Sequence, residues 1–76
     1  MESKLAERLK LLRAEFGISQ ARLAELISVS LSFIAHIELD KSSVSTAVLI
    51  SLAEFFDVST DYLLGLSDIK KHPKTS

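Results

Sequence analysis

Cysteine is absent from this 76-residue chain, which also has only one proline and two glycines. Without cysteine there is no disulfide bond and no cysteine-ligated zinc, so one small domain has to be stabilised by packing alone. The low content of glycine and proline favours helices joined by short loops. Since 47% of the residues are hydrophobic, a core of five helices can form, and we predict an all-α fold.

Long hydrophobic runs are absent too. The longest apolar segment, residues 48–53, is interrupted by Ser51 and followed by Glu54, and the start of the chain is charged and amphipathic. We therefore expect neither a membrane span nor a signal peptide. Together with the lack of cysteine, this predicts a protein of a reducing compartment inside the cell.

An excess of positive charge is also lacking, since the formal net charge is -1. The charges are unevenly distributed: residues 1–41 contain six basic and six acidic side chains, whereas residues 42–69 contain four acidic and no basic ones. Such a molecule would turn its N-terminal half towards a polyanion. The alternative on charge alone is a solvated surface of mixed charge.

A first helix is predicted over residues 3–16 because its apolar residues recur at intervals of three or four. Gly17 follows directly and provides the left-handed residue that commonly ends a helix. The apolar stripe of this helix consists of Leu5, Leu9, Leu12 and Phe16.

Two further helices are predicted in the C-terminal part of the chain. One covers residues 46–56 with Ser45 as its N-cap, and a short one follows Ser59. The last seven residues, 70–76, contain no apolar side chain and one proline. We predict that they form a frayed basic tail and that the domain comprises residues 1–69.

Residues 19–41 predict two short helices joined by a tight turn. Apolar residues at helical spacing occur on both sides of residues 28–30, and Ser19 and Ser30 are suitable N-caps for the two helices. Two helices joined by about three residues cross steeply, which is the geometry of a helix-turn-helix motif.

Many positions over residues 5–65 are in register with a known family. They are Ile18-Ser19-Gln20, Leu23-Ala24-Glu25, Val29-Ser30, Ser32-Phe33-Ile34, Ile37-Glu38, Asp57-Val58-Ser59 and Asp61-Tyr62-Leu63-Leu64-Gly65. In these residues the chain resembles the lambda-repressor-like regulators, which include phage repressor and Cro proteins and the xenobiotic-response-element group. The resemblance implies a compact five-helix domain, with the helix-turn-helix at its second and third helices, that binds double-stranded DNA and regulates transcription.

The resemblance also sets expectations about assembly and location. One such domain has a small interface with DNA, and half-sites on one face of the duplex lie about 34 Å apart, so we expect a repressor-like homodimer. We expect it in the cytoplasm, associated with the nucleoid when bound to DNA. Four apolar residues near the end of the domain exceed what a short terminal helix can bury, and we predict that they form the dimer contact: Tyr62, Leu63, Leu66 and Ile69.

The third helix has an outward face that could contact base edges in the major groove. The resemblance implies base contacts by Leu31, Ser32 and His36, and Ala35 lies on the same face. Many relatives have Arg or Gln at such positions, whereas this chain offers a hydroxyl, an imidazole and a leucine that can only touch thymine methyl groups. The alternative for His36 is a side chain that is merely solvated.

Phosphate contacts require only donors near helix N-termini. The family uses the position of Gln20 in this way, and Lys10 is a weaker candidate. The alternative is that Ser19 and Ser30 serve only as helix caps. The predicted phosphate contacts are Ser19, Gln20, Arg22, Ser30, Lys41, Ser42 and Ser43.

Arg13 and Glu38 occupy positions that, in the family, join the first helix to the end of the third through a partly buried ion pair. The resemblance therefore implies a structural role for both residues. Spacing alone does not establish the pair.

An enzyme is not expected, because the chain has no cysteine, no glycine-rich loop and only two distant histidines. For the same reason we expect no metal and no cofactor. The alternative to DNA binding is a helix-turn-helix module that binds a protein partner, as an antitoxin, corepressor or assembly factor does. This alternative depends on four leucines that we predict to be exposed, namely Leu11, Leu26, Leu31 and Leu39.

Overall fold

A computed structural model describes residues 4–41 and 44–70. These residues form five α-helices and, within the described ranges, no strand: α1 is Lys4–Phe16, α2 Gln20–Ile27, α3 Leu31–Glu38, α4 Thr46–Phe56 and α5 Thr60–Leu64. The predicted all-α class is confirmed.

A serine N-cap precedes four of the helices. Ser19, Ser30, Ser45 and Ser59 have extended backbone angles, and each side chain accepts a hydrogen bond from the backbone N–H three residues later. A serine oxygen at this position satisfies one of the N–H groups that a helix leaves unpaired at its start. All four caps are those that the sequence predicts.

Two of the helices are followed by a glycine in the left-handed conformation. Gly17 follows α1 with φ 66°, and Gly65 follows α5 with φ 81°. At Gly65 a side chain would also overlap the aliphatic part of Lys4, so glycine is required there for space as well as conformation.

The core lies where α1 packs against α3 and α5, and α2 packs against α3 and α4. Its fully buried large side chains are Leu9, Leu12, Leu23, Ile34, Ile37, Leu52 and Leu63. Phe16, which belongs to the predicted stripe of α1, lies at the edge of this core and is 47% exposed. Its ring packs edge-on against Phe56, with centroids 4.9 Å apart, and is tilted against Phe55.

The segment after α5 folds back along α1. The N–H of Ser59 donates to the carbonyl of Lys70, and Lys70 Nζ lies 2.9 Å from a carboxylate oxygen of Glu15. Lys70 is therefore attached to the domain, in contrast to the predicted tail, which includes it. Residues 71–76 of that tail lie outside the described residues.

Candidate nucleic-acid interface

The turn between α2 and α3 is built by two serines and a valine. Ser28 adopts the left-handed conformation, with φ 62°, and Val29 donates its N–H to the carbonyl of Ala24 at 2.9 Å. Ser30 then caps α3. Through this short connection α2 and α3 pack directly against each other, as the sequence predicts for a helix-turn-helix.

The outward face of α3 carries the predicted base contacts. Ile34 and Ile37 are buried in the core, and these two residues fix which side of the helix faces away from it. Leu31, Ser32 and His36 are exposed and Ala35 is half-buried, so all four lie outside the buried side of the helix. Leu39, directly after α3, is 61% exposed.

The two serine caps of the motif have exposed side chains. Ser19 accepts a hydrogen bond from the N–H of Arg22 and Ser30 from that of Phe33, both at 3.0 Å. Each hydroxyl still has its own hydrogen to donate. Capping is therefore compatible with a bond to a phosphate at either helix N-terminus.

Arg22 and Lys41 are both exposed. Arg22 Nη1 lies 2.7 Å from Glu25 Oε1, and more than half of each side chain is accessible. Such surface pairs contribute about 0 to 1 kcal/mol, so a phosphate can readily replace the carboxylate. The predicted contacts at Ser42 and Ser43 lie outside the described residues.

Gln20 has a partner that the sequence does not reveal. Its Nε2 donates to Glu38 Oε1 at 3.0 Å, which ties the first residue of α2 to the last residue of α3. A side-chain amide nitrogen carries two hydrogens. The bond to Glu38 thus leaves the second hydrogen for a phosphate oxygen.

Arg13 and Glu38 form the ion pair that the resemblance implies. Arg13 Nε and Nη2 donate to the two carboxylate oxygens, and Nη1 donates to the carbonyl of Ile18. Burial raises the pKa of Glu38, but the hydrogen bonds from Arg13 and Gln20 and the positive charges of Arg13 and Lys10 outweigh it. The pKa of Glu38 is therefore below its usual value, so the carboxylate stays charged.

Arg8 has a structural role that sequence reasoning missed. Its guanidinium donates to the carbonyls of Tyr62 and Ser67 and to the carboxylate of Asp68, and lies 4.2 Å from the centre of the Tyr62 ring. The available signal was its spacing from Leu5 and Leu12, which places Arg8 on the inward side of α1.

The structure places two of the four predicted dimer residues in the core of their own domain. Tyr62 is 8% exposed and Leu63 is fully buried, because α5 packs both against the core of its own domain. Both side chains therefore pack within their own domain and offer little surface to a second molecule. Leu66 and Ile69 are 75% and 67% exposed and stay predicted dimer contacts.

The four leucines on which the protein-binding alternative depends are accessible at the surface. Leu11, Leu26, Leu31 and Leu39 are between 43% and 61% exposed, as predicted.

In residues 4–41 and 44–70, no helix is long and apolar enough to cross a membrane. The same ranges contain no cluster of three or more potential metal ligands.

Comparison with known proteins identifies the family. A model described as a helix-turn-helix domain matches residues 6–69. HTH-type transcriptional regulator ImmR of Bacillus subtilis is 34% identical over 71 residues, 93% of this chain and 56% of that protein. HTH-type transcriptional regulator PrpR of Mycobacterium tuberculosis is 36% identical over 63 residues, 83% of this chain and 13% of that protein.

A third relative is the uncharacterized HTH-type transcriptional regulator YobD of Bacillus subtilis, 36% identical over 62 residues, 82% of this chain and 55% of that protein. The chain thus spans about half the length of the two Bacillus relatives. No solved structure matches it significantly. Because the family match covers most of the chain, the resemblance seen in the sequence is confirmed, and the chain belongs to the helix-turn-helix domain family.

Proposed function

We propose that this domain binds double-stranded DNA in a sequence-specific manner and regulates transcription, with α3 as the helix that enters the major groove. The observation that carries the proposal is the accessible outward face of α3, held by a capped turn against α2. A recognition helix presents its N-terminal residues to base edges, and here those residues are Leu31 and Ser32.

The relatives support this proposal by name, since ImmR, PrpR and YobD are all described as HTH-type transcriptional regulators. These proteins are longer than this chain. This domain supplies the DNA-binding part of such an activity, in the cytoplasm. The proposed activity is binding and not catalysis.

We further propose a repressor-like homodimer. Half-sites about 34 Å apart match the two-fold symmetry of a dimer. A second copy adds a second interface with the DNA, and so raises the affinity for DNA above that of one small interface. Leu66 and Ile69 supply exposed apolar surface for that contact, beyond the end of α5 and away from α3 in the sequence.

Fluorescence anisotropy with a labelled random-sequence duplex tests the DNA proposal. At low salt the protein should bind, and the logarithm of the affinity should fall linearly with the logarithm of the salt concentration. A flat signal at micromolar protein in low salt would refute DNA binding.

The second candidate function is binding to a protein partner. It is favoured by the exposed leucines on α1, α2 and α3, because soluble monomers rarely expose large apolar patches without use. The same titration separates the two, since a domain that binds only protein shows no salt-dependent affinity for duplex DNA.

A further inference from the structure

The outward face of α3 is divided into an apolar row and a polar row. Leu31 and Ala35 are four residues apart and lie in one row, while Ser32 and His36 form the next row around the helix. Leu31 is 50% exposed and Ala35 is half-buried. Leu31 and Ala35 therefore form an accessible apolar row along the face proposed to meet the bases.

This helix lacks the side chains that usually read guanine and adenine. Its sequence, LSFIAHIE, contains no Arg, Lys, Asn or Gln. Those are the residues that make bidentate hydrogen bonds to base edges in the major groove. Its only charged side chain is Glu38, which is 4% exposed and bound by Arg13 and Gln20.

The major groove displays one apolar group, the methyl at C5 of a pyrimidine. Thymine carries it always, and cytosine carries it after methylation. We propose that Leu31 and Ala35 form a subsite for this C5-methyl group, so that the domain selects DNA by pyrimidine methyl groups. The inference depends on the proposed DNA binding through α3.

The position of Leu31 suits this role. It is the first residue of α3, where a recognition helix comes closest to the bases, and the Ser30 cap fixes the backbone beside it. Alanine at position 35 lets the helix approach the groove, because its side chain is only a methyl group. Contact between these side chains and a base methyl removes apolar surface from water on both sides.

Replacement of thymine by uracil tests the subsite, because it removes the methyl group and leaves base pairing unchanged. A high-affinity duplex is first selected with the wild-type protein from a random pool, and each thymine of the half-site is then replaced in turn. One or two positions per half-site should show an affinity loss of roughly fourfold, the value of one buried methyl group.

Two protein variants test whether Leu31 causes the affinity loss that uracil produces. Leu31→Ala should reduce the uracil penalty to less than about twofold, since the apolar wall that the methyl touches is gone. Leu11→Ala is the matched control, because Leu11 is 52% exposed on α1 and outside the motif. It should keep the full penalty.

5-Methylcytosine, the other base that carries this methyl group, is tested at the same positions. Cytosine and 5-methylcytosine are compared in duplexes that are otherwise identical, and the methylated duplex should bind roughly fourfold more tightly. A gain here with a thymine effect shows that the methyl group itself is read. A thymine effect without this gain refutes selection by pyrimidine methyl groups, because the same methyl group at the same position is then not recognised.

The outcomes separate this inference from the function on which it depends. If salt-dependent DNA binding is present but uracil is tolerated at every position, the subsite is refuted and DNA binding stands. An equal uracil penalty in wild type and Leu31→Ala also refutes it. If no duplex is bound at low salt, both the function and the subsite are refuted.

Discussion

Glu38 is bound by Arg13 through both of its carboxylate oxygens, with donor–acceptor distances of 2.6 and 2.9 Å. Gln20 adds a third hydrogen bond at 3.0 Å. Because Arg13 lies on α1, Gln20 at the start of α2 and Glu38 at the end of α3, one carboxylate joins three helices. Glu38 is 4% exposed, so these bonds replace nearly all of its hydration and hold α3 in place.

Arg13→Ala should destabilise the domain by about 3 to 5 kcal/mol, because it leaves the buried carboxylate of Glu38 without its cation. The double variant Arg13→Met with Glu38→Leu should lose much less, since it removes both charges together. Urea unfolding followed by circular dichroism measures both. A loss below about 1 kcal/mol for Arg13→Ala would contradict the assignment, since this is the range of exposed pairs.

The stability of the domain should also fall in acid through Glu38. Burial raises its pKa, but the bonds and charges of its partners lower it further, so the folded pKa is below the unfolded one. A carboxylate of this kind stabilises the fold fully above the unfolded pKa of about 4.3 and loses this contribution as the pH falls towards the folded pKa.

Glu38→Gln should therefore show a flatter dependence of unfolding free energy on pH than the wild type below about pH 5. Glu25→Gln is the matched control, because Glu25 is 69% exposed. It should keep the steep dependence on pH. Parallel curves for wild type and Glu38→Gln would show that Glu38 does not titrate differently in the two states.

The helices and their caps could be predicted from the sequence because they depend on local chemistry. A serine before an apolar periodic segment, and a glycine after one, determine a helix end whatever packs against it. The same local logic placed Leu31, Ser32 and His36 on the outward face of α3, since Ile34 and Ile37 define the inward one.

Contacts between distant residues could not be predicted in this way. The burial of Tyr62 and Leu63 depends on how α5 packs against α1, which no local pattern encodes. The bonds of Arg8 to the carbonyls of Tyr62 and Ser67 likewise require the folded segment after α5. A charged residue on an apolar face gives only a hint that it has buried partners.

Arg8→Met should destabilise the domain by about 2 to 3 kcal/mol, because two carbonyl groups lose a charged donor. Arg8 is 9% exposed, so water does not easily replace it. Asp68→Asn is the comparison, since its carboxylate is 97% exposed and the pair with Arg8 is screened. Thermal melts should shift clearly for Arg8→Met and hardly for Asp68→Asn. Equal shifts would place the contribution in the ion pair and not in the carbonyl contacts.

Leu66→Asp should give a monomer that keeps its helical circular dichroism. Leu66 is 75% exposed in the single chain, so a charge there does not disturb the core but would disrupt an apolar dimer contact. Sedimentation velocity measures the change in mass. Leu11→Asp is the control for a charge placed on an exposed leucine elsewhere and should leave the dimer intact. A dimer that persists in Leu66→Asp would place the interface on another surface.

Arg22→Ala and His36→Ala should affect DNA binding in different ways. Arg22 lies near the start of α2 and can exchange its exposed pair with Glu25 for a phosphate. Its loss should weaken specific and random duplexes alike and lower the slope of log affinity against log salt by about one unit. His36→Ala should cost about 1 to 3 kcal/mol on the specific duplex only, with the slope nearly unchanged.

Anisotropy titrations of both variants at several salt concentrations, on the selected duplex and on a random one, distinguish these effects. The difference follows from chemistry, because a phosphate contact releases a counterion whatever the sequence, while an imidazole at a base edge meets its partner at one base pair only. If Ser32 and His36 are both replaced by alanine and the site preference is unchanged, hydrogen bonding by α3 does not select the site. Selection would then depend on methyl contacts of Leu31 or on the shape of the DNA.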